Sequence, residues 1–164
     1  MAKYFLESSA FIKRYKTESG SDFVNKIFTE ENELFYLNLA IVEIRKVFYR
    51  LYKWNQNLEG DAKITENEFQ YLESQFALDL LAMRRVEFTD EMVEKSIKIL
   101  ERVWLRSAFD LVQVAAFLIT KEIYPDLVFI CSDKRSNLVE AAKLFVIDAE
   151  EVKIPEKEDG EALI

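Results

Sequence analysis

The sequence predicts one α/β domain: three layers, α/β/α, around a short central parallel sheet of four to five strands. Three observations predict it. Short, mostly apolar runs rich in β-formers alternate with stretches of helical periodicity, the pattern of strand–helix–strand units. Those runs read as continuously apolar rather than alternating, as parallel strands do when helices cover both faces. With 164 residues, half of them apolar, the chain suits one full hydrophobic core and is short for two.

Taken in order, the first strand is Tyr4 to Leu6. Phe23, Ile27 and Phe28 then fall at helical spacing, and Leu34 to Leu37 form the second strand. Asn38 is the expected N-cap of a helix whose apolar residues, Ile44, Val47, Phe48 and Leu51, repeat at i, i+3, i+4 and i+7. Thr65-Glu66-Asn67-Glu68 reads as a capping box opening a long helix that buries Phe69, Leu72, Phe76, Leu80 and Met83. Val86 to Phe88 follow as a third strand, and Val93, Ile97, Leu100 and Trp104 as the buried face of the next helix. Ser107 to Ile119 has helix length and one charge, Asp110. Leu127 to Ile130 and Phe145 to Ile147 complete the strands, with a helix carrying Leu138, Ala141 and Ala142 between them. Residues 1–148 are read as the domain and 149–164 as an acidic tail.

Composition excludes several chemistries. There is no histidine, so no Ser-His-Asp triad, imidazole base or His-bearing zinc site; one cysteine, Cys131, allows no internal disulfide; three glycines build no glycine-rich phosphate cradle. The longest uncharged run, Leu111 to Thr120, falls far below the roughly 18 to 20 apolar residues of a membrane span, and no signal-peptide pattern is visible, so a soluble, cytoplasmic protein is expected. The net charge of −8 argues against a nucleic-acid partner until its distribution is read: Asp148 to Ile164 carries −5, leaving −3 on the first 147 residues. Basic residues cluster there at Lys13, Arg14 and Lys16, and at Arg45, Lys46, Arg50 and Lys53, although any single cluster reads first as a solvated helix face.

Ligands of open α/β sheets bind at the carboxyl ends of the strands. Four acids fall there: Glu7 after the first strand, Glu43 near the start of the helix after the second, Asp133 after the fourth, and Asp110 opening the preceding helix. Each has a duller reading. Asp110 completes a capping-box template with Ser107, Asp133 is a natural helix cap, and Glu43 pairs with Lys46. Glu7 fits least well as a structural residue, because Ser8 is the better cap. Four carboxylates together exceed what helix N-termini neutralise, and a divalent metal is the compensating charge this reading expects.

The stretches "YFLESSAFIKRY", "LAIVEIRKVFYR", "LRSAFDLVQVAAFLI" and "FICSDKRSNLVEAA" together resemble a PIN domain, most closely the VapC-type toxin ribonucleases of prokaryotic toxin–antitoxin pairs, from about Tyr4 to Asp148. The resemblance implies an acidic quartet at Glu7, Glu43, Asp110 and Asp133, supported by the hydroxyl of Ser9. It also implies cleavage of RNA, a small antitoxin partner whose amphipathic helix fills an apolar groove, and a homodimer; exposed residues among Phe48, Tyr49 and Tyr52 are candidates for such contacts. Two positions depart from the family pattern: Glu7 stands where aspartate is usual, and Cys131 where a threonine or serine is usual.

Oxygen ligands without His or Cys favour Mg²⁺ or Mn²⁺, which activates a water for attack on a phosphodiester. Lys13, Arg45 and Arg106 are the expected phosphate contacts. The alternative is a catalytically attenuated module that binds RNA or antitoxin without efficient cleavage. A phosphoacceptor receiver domain is disfavoured, because it needs an acidic pair after the first strand and this chain has Glu7-Ser8-Ser9.

Overall fold

The computed structural model describes residues 1–54, 63–133, 137–146 and 152–153. Its strands are β1 (Lys3–Leu6), β2 (Glu33–Leu37), β3 (Arg84–Val86), β4 (Leu127–Ile130) and the two-residue β5 (Val152–Lys153), all parallel and ordered β3-β2-β1-β4-β5. The helices are α1 (Ser8–Phe11), continued by a 3₁₀ turn over Ile12–Arg14, α2 (Ser21–Thr29), α3 (Ala40–Tyr49), continued by a π-helical turn over Arg50–Trp54, α4 (Glu66–Ala82), α5 (Asp90–Leu100), α6 (Ala108–Ile123) and α7 (Leu138–Lys143).

The three-layer architecture follows from the alternation of side chains along each strand. Phe5, Phe35, Leu37, Leu127 and Phe129 point to one face, where they pack with residues of α5, α6 and α7. Tyr4, Leu6, Leu34, Tyr36, Val128 and Ile130 point to the other, against α1, α2, α3 and α4. Both faces are apolar, which is why the strands read as unbroken apolar runs. The first core stacks Phe117 on Phe129 at 4.8 Å between ring centroids; the second gathers Phe11, Tyr15, Phe48 and Phe76, with Phe76 5.7 Å from Phe11 and 5.8 Å from Phe48. Among the described residues no helix is long and apolar enough to cross a membrane.

The capping box at Thr65 and Glu68 forms as expected. Four local expectations are corrected. Strand β3 lies two residues earlier than Val86 to Phe88: Val86 accepts from the Asn38 amide, and the Phe88 N–H turns to the Asn38 side chain. Asn38 is thus used to tie the ends of β2 and β3 rather than to cap α3, whose N-cap is Leu39. On α5 the buried face is Met92, Ser96 and Ile99, which leaves Val93, Ile97 and Leu100 exposed, together with Trp104 beyond the helix. Ser96 is tolerated inside because its hydroxyl donates to the Met92 carbonyl, satisfying the group that hydropathy alone assigns to solvent. Phe145 and Val146 pack against the core in a turn after α7 instead of forming a strand; Ile147 lies outside the described residues. The fifth strand comes from inside the segment read as a tail, and its Lys153 carbonyl accepts from the Cys131 amide at 3.0 Å.

Candidate active site

The parallel topology sends the ends of β1 and β4, and the first turns of α3 and α6, to one edge of the sheet. Glu7 leaves β1 there, and its amide donates to the Ile130 carbonyl at the end of β4 (3.0 Å). Glu7 is the N-cap of α1, contrary to the expectation that Ser8 caps: its Oε2 accepts from the Ser9 amide at 2.8 Å and from the Ser9 hydroxyl. The longer glutamate side chain reaches back over its own backbone to do so. Ser9 Oγ in turn accepts from the Ser132 amide at 2.9 Å, so one hydroxyl joins the ends of β1 and β4. Cys131 belongs to the core; its sulfur lies 3.9 Å from Ser9 Oγ, and burial, followed by the Glu7 charge, pushes its thiol far up.

Glu43 and Asp110 sit in the first turns of α3 and α6, and Asp133 follows β4. All four acids line one cleft of about 310 Å³, together with Ser8 and Ser9. Asp110 is not a cap: Ser107 caps α6 by accepting from the Phe109 amide at 3.1 Å, and the reciprocal bond of a capping box is not made. Asp133 does not cap α7, whose N-cap is Asn137, and Glu43 forms no ion pair with Lys46 among the described residues.

Burial, reinforced by this crowding, shifts protons. Glu7 is 4% exposed, and burial pushes its carboxyl up to about 7; the two bonds from Ser9 oppose the shift, while Glu43 and Asp110 reinforce it. Burial, then repulsion from Asp133 and Glu43, pushes Asp110 up to about 6. The raised values mark carboxyls whose ionised form is disfavoured by burial and by neighbouring acids. A proton or a cation offsets it, and the all-oxygen donor set suits a hard divalent ion. Among the described residues no three of the acids stand close enough to form a ready metal cage, so such an ion would take one or two carboxylates and complete its shell with water.

The expected phosphate contacts fare differently. Lys13 is buried, with its ammonium on Glu18 Oε1 and the Ser19 carbonyl, each at 2.7 Å. Arg45 turns to α4, where Nε meets Glu73 at 3.0 Å and the guanidinium covers Phe76. Arg106 is exposed, with no ion pair among the described residues, and does not line the cleft. The cleft is instead lined by Lys46 and Arg50, which the sequence reading left as a solvated face. Their signal was spacing: counted from Glu43 they fall at i+3 and i+7, on the acid's own side of α3, whereas Arg45 at i+2 faces away. Gln113 was also missed. It is fully buried on α6, one turn from Asp110, and its amide nitrogen donates to Ser8 Oγ, tying the helix of Asp110 to that of Glu7. No family model matches the chain, and no curated protein sequence matches it.

Proposed function

We propose that the chain is a Mg²⁺- or Mn²⁺-dependent endoribonuclease of the PIN type, the toxin of a toxin–antitoxin pair. One observation carries this reading: carboxylates from four segments far apart in sequence line one cleft at the carboxyl edge of a parallel sheet. Structural needs account for the Glu7 cap, whereas Asp110 and Glu43 make no cap or ion pair among the described residues. A divalent ion there supplies an activated water and a Lewis acid for the leaving oxygen of a phosphodiester. One or two of Glu43, Asp110 and Asp133 would hold it, with water completing its shell and Glu7 turned partly toward its cap. The antitoxin and the homodimer rest on the resemblance alone; the exposed Val93, Ile97 and Leu100 of α5 offer apolar surface for a protein partner.

The test is RNA cleavage by the purified chain with Mg²⁺ or Mn²⁺, with chelator, and as Asp110→Asn. Cleavage is expected only for the unaltered chain with metal, and cleavage that persists in excess chelator refutes the mechanism. A second reading, binding of RNA or antitoxin with little cleavage, is favoured by the geometry of Glu7, one of whose two carboxylate oxygens is taken up by Ser9.

A further inference from the structure

Four acids around one cleft repel a polyanion, so RNA reaches them only where a cation meets its phosphates. The only basic residues lining the cleft among those described are Lys46 and Arg50, both on α3 or its continuation and one and two turns beyond Glu43. Most other cations near this edge are committed elsewhere: Lys13 and Lys16 to Glu18, Arg14 to Asp79, Arg45 to Glu73. Lys46 differs. It is exposed, and it makes no ion pair or hydrogen bond among the described residues, even though Glu43 stands one turn away, where a structural lysine would pair.

We infer that Lys46 grips the RNA phosphate beside the bond to be cut. The identity of the polyanion rests on the nuclease reading; the contact itself rests on the cleft. A lysine ammonium is a point charge that meets a phosphate without fixing its orientation, so this contact reads the backbone and not the bases.

The experiment measures binding of a labelled single-stranded RNA by fluorescence anisotropy in Ca²⁺ across a salt series, then steady-state cleavage in Mn²⁺. Lys46→Ala, Lys46→Glu and Lys98→Ala, the last on the exposed side of α5, are compared with the unaltered chain. Loss of one phosphate contact to a single strand is expected to weaken binding roughly 5- to 10-fold at low salt and to flatten the slope of log K against log[salt] by about 0.7. Lys46→Glu should lose more and Lys98→Ala nothing, and KM should rise with kcat held within about 2-fold. An unchanged slope and KM in Lys46→Ala, with cleavage intact, overturns the contact and leaves the nuclease reading standing. Lys46-dependent binding by a chain that never cleaves does the reverse. A chain that binds no RNA overturns both.

Discussion

Asp110→Asn separates a structural acid from a functional one, because the two roles give opposite signs. The Asp110 side chain makes no hydrogen bond among the described residues, so replacing it removes charge without removing a cap. Raising a carboxyl from 3.8 to about 6 corresponds to roughly 3 kcal/mol of destabilisation when the group is ionised. Asp110 is only half-buried, and solvent screening reduces the usable part to about 1–1.5 kcal/mol. The folded chain holds this proton to higher pH than the unfolded chain does. The group therefore lowers stability as pH climbs from 3.8 to about 6, and the full penalty is present above that. In metal-free buffer at about pH 8 the asparagine variant should melt roughly 3–5 °C higher than the unaltered chain. The gap should close as the pH falls toward 4, below which both folded and unfolded chains are protonated. Adding Mn²⁺ should narrow it from the other side, since the ion stabilises the chain that keeps the ligand. Differential scanning calorimetry with EDTA or Mn²⁺ at three pH values measures all of this. A melting temperature that falls at about pH 8, or an offset that ignores pH, would refute the assignment of Asp110 to a repelling cluster.

Glu7→Asp is expected to keep the helix cap, since aspartate is a favoured N-cap, and to move the carboxylate by roughly one C–C bond. Single-turnover cleavage should rise at least ~10-fold with RNA affinity unchanged, and an equal or lower rate would show that the site has adapted to glutamate. Lys13→Ala should lower the melting temperature by roughly 3–6 °C through loss of a buried ammonium and its two bonds. It should leave the salt slope of RNA binding unaltered, and a flattened slope would return Lys13 to the RNA.

Much of this was legible in the chain, and the boundary follows from the physics. Strands covered on both faces leave a one-dimensional trace, an unbroken apolar run, and β1, β2 and β4 are found from it. Acids at strand ends are legible for the same reason, because parallel topology fixes which edge those ends share. Azimuth around a helix is less legible. Arg45 and Lys46 are neighbours in sequence, yet one reaches Glu73 on α4 and the other lines the cleft. On α5, two interleaved stripes compete, and the one with the serine wins because Met92 supplies its hydroxyl with an acceptor within the helix. Strand β5 leaves almost no trace, since two residues among acids acquire strand geometry only from the β4 edge beside them.

The glutamate at position 7 connects the fold to the chemistry. Hydrogen bonds run from the Ser132 amide to the Ser9 hydroxyl and from that hydroxyl to the Glu7 carboxylate, joining the ends of β1 and β4. The cap needs an acceptor, which either protonation state of Glu7 can provide through Oε2. The cluster needs positive charge, which the proton supplies when its carboxyl titrates near 7. A neutral cap is compatible with a quiet site, and an ionised one with a metal-loaded site. A cation that enters the cleft favours the ionised form of Glu7, so metal uptake and deprotonation of Glu7 are coupled. An aspartate would still cap α1, but with a carboxylate held closer to the backbone. The extra methylene lets the side chain fold back onto Ser9 from a position 4% exposed, at the cost of an oxygen the cleft would otherwise use.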